Sequence, residues 1–245
     1  MNLFERFKKD KLNTERTADN QKSVSLEKAV SLRKDIILDE TKKQGIKNTK
    51  ARVVFALDHS GSMSNEYNNG YIQMLLERIF PMAMCFDDNE ELEFFLFDDK
   101  YKELKSVTMR NLKDYVRKRI LTANIPYGGT RYAPIINAIT DKYAHKNPSK
   151  IPTFVIFITD GDNCDTNKAA NALINASKYS IFWKFIGIGY SSFTFLKKLD
   201  DMPNRTVDNA NFVPINDIHD IPDRELYEKL LTEYSDWQNA YSEIG

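Results

Sequence analysis

Three stretches of this chain are apolar without alternating, and two of them run straight into residues that carry side-chain oxygen. Val53-Val54-Phe55-Ala56-Leu57 leads into Asp58-His59-Ser60-Gly61-Ser62, and Phe154-Val155-Ile156-Phe157-Ile158 leads into Thr159-Asp160. The third is Ile181-Phe182-Trp183-Lys184-Phe185-Ile186, interrupted by one lysine. A strand with one wet face alternates apolar and polar residues. A run that does not alternate is covered on both faces, as parallel strands are when helices flank them. Helix-patterned segments separate the runs. The expected fold is therefore α/β, a Rossmann-like three-layer sandwich with helices on both faces of a mostly parallel central sheet. In open sheets of this kind, ligands gather beyond the carboxyl ends of the strands.

The coarse reading along the chain divides it into three parts. Residues 1–23 are polar and charged and read as a flexible leader. Residues 24–50 read as a linker or extension packing on the core. Val24-Ser-Leu-Glu-Lys28 nearly repeats as Val30-Ser-Leu-Arg-Lys34, a pattern that fits short edge strands and a helix equally. The main domain is expected over 51–245. It should begin with a strand at Arg52–Leu57 and a helix from about Asn69 to Phe86, kinked at Pro81 because proline removes a backbone donor. Strand Leu92–Phe97 should turn at Asp98-Asp99-Lys100 into a short antiparallel edge strand around Tyr101–Leu104. Helices are expected near Met109–Leu121, Tyr132–Tyr143 and Lys168–Lys178, strands at Thr153–Thr159, Ser180–Ile188 and Asn211–Ile215, and a short helix near Phe193–Leu199. A last helix should start at about Pro222, capped by Asp220, with Leu226, Leu230, Tyr234, Trp237 and Tyr241 on one face.

Asp58, Ser60 and Ser62 lie in one loop, Gly128-Gly129-Thr130 adds a hydroxyl much later, and Asp160 follows a second strand. Two carboxylates and three hydroxyls, all oxygen and all on loops, suit a hard divalent cation. Asp and Ser also close loops by themselves, so Asp58 and Ser60 alone would not separate the two readings. Glu66, Asp162 and Asp165 read as solvated loop acids near the rim, and His59 as a residue facing solvent or a neighbouring loop. Gly187-Ile188-Gly189 follows a strand but lacks the third glycine of a dinucleotide fingerprint. Trp183 and Trp237 read as packing residues.

Asp-x-Ser-x-Ser with a distant Thr and a distant Asp resembles the metal-ion-dependent adhesion site of von Willebrand factor A domains. The stretches Arg78–Asp88, Thr159–Asp162, Ile181–Gly189 and Val207–Phe212 look like the branch found in bacterial tellurium-resistance and stress-response proteins. The resemblance implies that Ser60 and Ser62 ligate the metal directly, Thr130 in at least one state, and Asp58 and Asp160 at least partly through water. It also implies that the last helix can shift with the site's coordination. Magnesium is the expected ion, with calcium or manganese as alternatives. The implied role is a non-enzymatic protein-protein interaction module that bridges, through the cation, to an Asp or Glu of a partner. Other tellurium-resistance proteins, an ATPase, a kinase or a phosphatase are the expected partners.

Lys+Arg and Asp+Glu are both 35, giving zero net charge, which argues against a general nucleic-acid binder. No stretch is apolar enough to span a bilayer. The two cysteines, Cys85 and Cys164, form no disulfide framework, and a cytoplasmic location is expected. The competing function is a metal-dependent phosphohydrolase with Asp58 as nucleophile. Enzymes of that kind carry a second Asp two residues on, where this chain has Ser60.

Overall fold

The computed structural model describes residues 24–199 and 201–243. Residues 1–23, expected as a leader, lie outside the described residues. Six strands form one sheet, ordered β3-β2-β1-β4-β5-β6. They are β1 Arg52–Asp58, β2 Leu92–Phe97, β3 Tyr101–Val107, β4 Thr153–Thr159, β5 Ile181–Ile188 and β6 Ala210–Ile215. All neighbours pair in parallel except β2 with β3. The expected mostly parallel sheet with one antiparallel edge is thus what forms, although β3 runs three residues beyond Leu104.

Side-chain alternation explains why the strands are apolar throughout. Val53, Phe55 and Leu57 enter one core, and Val54 and Ala56 enter the other. The first core packs under α1 (residues 24–43), α3 (Tyr71–Phe86), α4 (Met109–Leu112), α5 (Tyr115–Arg119), α8 (Asp223–Leu231) and α9 (Tyr234–Ser242). The second packs under α6 (Ala133–Thr140) and α7 (Thr166–Ala176). A one-turn α2, Ser64–Asn68, follows the first site loop. Trp183 and Trp237 are both buried packing residues. Among the described residues no helix is long and apolar enough to cross a membrane.

Tertiary contacts correct or decide three local expectations and accommodate the proline within α3. Residues 24–43 are helical, because Val30 and Ile37 are buried in the first core while Leu26 packs against it, a helical spacing. The α3 helix runs unbroken through Pro81. Proline leaves the carbonyl four residues back without its usual donor; that carbonyl, on Glu77, accepts the Arg33 Nη1 from α1 at 3.3 Å. The expected Met109–Leu121 helix splits at Asp114, which has φ +60°. Gln73 bridges the split, donating to the Leu112 carbonyl at 2.8 Å and accepting the Val116 N–H at 3.0 Å. The last helix also splits, at Thr232 and Glu233, and Asp220 makes no side-chain cap at its start. Lys184, fully buried in β5, donates to the Thr232 carbonyl at 2.7 Å and to Asn211 Oδ1 at 2.5 Å. A buried ammonium must find acceptors, and the carbonyl end of α8 supplies one of suitable polarity.

The three-helix contact is tied by one carboxylate. Asp223 Oδ1 accepts Arg78 Nε at 2.7 Å and Oδ2 accepts Arg33 Nε at 2.9 Å. Arg78 is buried and also donates to the carbonyls of Ile218 and Ile221. Removing one partner leaves a buried guanidinium without its counter-charge. Asp223→Ala is expected to cost about 2–3 kcal/mol in urea unfolding; a change under about 0.5 kcal/mol would show that the hub contributes nothing.

Candidate metal centre

The pairing of β1 with β4 sets Leu57 opposite Ile158. Asp58 therefore ends beside Thr159, and its carboxylate is fully buried there. Oδ1 accepts the Ser60 N–H at 2.7 Å and Oδ2 accepts the Thr159 hydroxyl at 2.6 Å. Past the strand end, the Ser60 and Ser62 hydroxyls are 3.1 Å apart, and Ser62 donates to Asp160 Oδ1 at 2.9 Å. Asp58, Ser60, Ser62 and Asp160 thus form one connected set of oxygens. Thr130 is brought in by its loop rather than by its hydroxyl. Gly128 bridges Ser60, the Gly61 N–H reaches the Gly128 carbonyl at 3.1 Å, and the Thr130 carbonyl accepts the Cys164 N–H at 3.0 Å. Among the described residues no hydrogen bond joins the Thr130 hydroxyl to the other four.

Both carboxylates resist ionisation. Burial pushes Asp58 up to about 7, against the opposing bonds from Thr159 and Ser60, and the charge of Asp160 adds to the effect. Burial also raises Asp160, offset by the Ser62 bond. Among the described residues no cationic side chain acts on either. Among the described residues no three His, Cys, Asp or Glu side chains gather as a metal cage. The donor set is two acids and hydroxyls, the chemistry of a hard cation rather than zinc in a structural site. One buried and one half-buried acid, with no cationic partner among the described residues, fit a divalent ion.

Several residues that hold this arrangement were not singled out from the sequence. Thr159 clamps Asp58, and the Tyr132 hydroxyl lies 3.1 Å from Thr159 Oγ1 and 2.5 Å from the Gly161 carbonyl. A Thr closing an otherwise apolar run, Phe154–Ile158, was the available signal. Asp98 and Asp99, at the β2–β3 turn, grip the Thr130 loop. Gly129 donates to Asp99 Oδ2 at 2.8 Å, and a Cβ on Gly128 would meet the Asp98 carboxylate at 2.7 Å.

Two of the three rim acids, Asp165 and Asp162, are bonded into the loops rather than simply solvated. Asp165 accepts the Tyr132 and Ala133 N–H groups, both at 3.0 Å, and so closes the start of α6. Asp162 accepts Ser192 Oγ at 3.0 Å and the Phe195 N–H at 3.1 Å, which with the other bonds of that loop holds its carboxyl below the usual range despite some burial. Glu66 Oε2 is buried with no partner among the described residues. His59 is buried and, of the two expected alternatives, faces a neighbouring loop rather than solvent; its ring stacks on Tyr127 at 4.2 Å and meets the edge of Tyr67. Gly187 and Gly189 serve packing and turning: a Cβ on Gly187 would strike Phe193 at 2.7 Å, and Gly189 has φ +82°.

The raised Asp58 carboxyl has a pH consequence. The folded protein holds this proton more tightly than the unfolded chain, whose carboxyl titrates near 3.8. Its contribution is complete below that value, is lost as pH rises towards about 7, and is flat above. In excess chelator, urea unfolding should show stability falling between about pH 4 and pH 7, with Asp58→Asn falling less and overtaking the parent protein at the upper end. Parallel curves for the two proteins would refute the assignment.

The family described as "vWA found in TerF C terminus" matches residues 50–245. The uncharacterized protein YcbR of Bacillus subtilis is 36% identical over 219 residues, covering 88% of this chain and 89% of that protein. Among solved structures, proximal thread matrix protein 1 from the mussel byssus aligns with TM-score 0.54 at 16% identity, over 78% of this chain and 48% of that one. A second structure of that protein, described with a zinc-occupied MIDAS motif, aligns with TM-score 0.50 at 15% identity over the same shares. A von Willebrand factor type A protein from Catenulispora acidiphila gives 0.53 at 18%, over 74% and 43%. The chain spans less than half the length of these solved proteins, and the likeness to them is one of fold. The continuous match over the sheet, its helices and both site loops shows that the chain belongs to the von Willebrand factor A family, in the branch found at the TerF C terminus.

Proposed function

We propose that the chain is a non-enzymatic, metal-dependent protein-interaction module of a bacterial tellurite-resistance or stress-response system. The observation that carries this reading is the pair of carboxylates, Asp58 and Asp160, brought together at the strand ends with the Ser60 and Ser62 hydroxyls and no cationic side chain. Asp58, Ser60, Ser62, Thr130 and Asp160 would hold the ion. Magnesium suits these oxygen donors best, with calcium or manganese as alternatives. When bound, the ion supplies a Lewis-acidic position for one carboxylate oxygen of a partner's Asp or Glu. The zinc-occupied motif described for the mussel protein supports a divalent ion on this fold.

The family description supports the stress-response setting, in which other tellurium-resistance proteins, an ATPase, a kinase or a phosphatase are the candidate partners. The cytoplasm is the proposed location, without nucleic acid or a membrane span. The geometry works against the phosphohydrolase alternative. A nucleophilic Asp58 needs a free oxygen, and both of its oxygens are buried and bonded.

Calorimetry with magnesium should show a single site that disappears in Asp58→Ala; equal binding by that variant would sink the assignment. Asp160→Ala should keep the fold in chelator, because it lies at a loop mouth, while weakening magnesium-dependent capture of partners. A large loss of melting temperature in chelator would instead make Asp160 structural.

A further inference from the structure

The chain is neutral overall, but its charge is not evenly spread. From Lys100 to Arg119, eight Lys and Arg stand against two acids, Glu103 and Asp114. These residues make β3, α4 and α5, at one edge of the sheet. Part of the excess is neutralised in place: Asp114 pairs with Arg117 at 3.2 Å and Lys118 at 3.7 Å, and Glu103 pairs with Lys142 at 2.6 Å. Lys100, Lys102, Lys105, Arg110 and Arg119 are exposed and make no ion pair among the described residues.

Lysines on an edge strand also keep sheets from joining edge to edge. Two further features point past that protective role. First, among the described residues β3 pairs only with β2, and from Tyr101 to Glu103 it is exposed on both faces. The carbonyls of Lys105 and Ser106 are taken by Tyr115 and Asn111, so the open part of the edge is Tyr101–Leu104. Second, a cavity of about 380 Å³ lies between the β2–β3 hairpin and residues 125–127. Lys100, Lys102, Ile125 and Tyr127 line it, and His59 is also part of its wall. Tyr101 and Tyr127 beside it are 50% and 38% exposed. The buried His59 ring has no partner for Nδ1 among the described residues, an unusual condition for a buried polar atom.

We propose that the open edge of β3 and the cavity beside it dock an extended, acidic segment of a protein partner, at a surface separate from the metal centre. Strand addition supplies main-chain hydrogen bonds, and alternate side chains supply selectivity. Carboxylates of the segment meet Lys100 and Lys102, and one side chain enters the cavity towards His59. An open strand edge is completed by main-chain N–H and C=O groups, which a polypeptide has and a nucleic acid lacks. Asp98 and Asp99 on the cavity rim grip the Thr130 loop, so an occupant of this surface touches the hairpin that supports the metal site.

Docking needs no cation, so it is measured in excess chelator, where failure of the metal reading leaves it intact. The probe is a labelled synthetic peptide of alternating Glu and Val, read by fluorescence anisotropy against the full chain. A Gln-Val peptide and single-stranded oligothymidylate are the comparisons. The proposal expects binding of the Glu peptide alone and slower hydrogen exchange of the Tyr101–Leu104 amides in its presence. It also expects an affinity loss of about tenfold or more in Lys100→Glu/Lys102→Glu. Both substituted side chains are exposed, and a thermal melt checks that the variant folds; Lys105→Glu serves as the second variant if it does not. Equal binding of the Gln peptide, unchanged affinity in a folded variant, protection confined to other strands, or preference for oligothymidylate each overturns the proposal.

Discussion

β1 and β4 lie side by side at the centre of the sheet, running in the same direction, with Leu57 opposite Ile158. That register brings the two loops carrying the acids out on the same edge and at the same height. Asp58 can then take the Thr159 hydroxyl, and Ser62 can reach Asp160, across 101 and 98 residues of sequence. A slip of one residue would turn Asp58 to the opposite face of the sheet, because side chains alternate along a strand. It would also carry every buried residue of β1 out of its own core. The hydrophobic pattern on both faces therefore fixes the site as firmly as it fixes the fold.

Around that pair the loops hold one another. The Thr130 loop is bonded to the Ser60 loop on one side and gripped by Asp98 and Asp99 on the other. Asp165 closes the start of α6, Asp162 ties the 192–195 segment, and Ser191 donates to the Asp160 carbonyl at 2.5 Å. Acids that read as solvated loop residues are thus acceptors for loop N–H and hydroxyl groups. This leaves Asp58 and Asp160 as the candidate site carboxylates at the strand ends, each with a hydroxyl donor and, among the described residues, neither with a cation.

The opposite layer is joined by buried charge. Arg33, Arg78 and Asp223 link α1, α3 and α8, and Lys184 anchors the break between α8 and α9. Each buried cation finds carbonyl or carboxylate acceptors, as it must in a low-dielectric interior. These contacts place the two pieces of the last helix separately: α8 is held at its start by arginines and at its end by a lysine. A slip of the whole helix as one rod would have to break both attachments.

The sequence by itself determined the doubly covered sheet, all of its strands but β3 nearly to the residue, and the strand ends at which Asp58 and Asp160 lie. Those features follow from local rules: apolar runs without alternation need two covered faces, and polar residues directly after them lie at strand ends. What the tertiary structure decided were matters of partnership between distant residues. The 24–43 segment is a helix because Val30 and Ile37 found one core, although its near-repeat fits a strand as well. Pro81 stays inside α3, with Arg33 from a distant helix at the carbonyl it leaves without a donor. The expected single helices at 109–121 and 222–241 are each broken, with Gln73 and Lys184 satisfying the interrupted backbone. Thr159 became the clamp on Asp58, and His59 became a buried stacking partner of Tyr127. None of these is visible in a local window. Each depends on which buried polar group meets which, and that is settled only when the layers close and every such group must be satisfied without water.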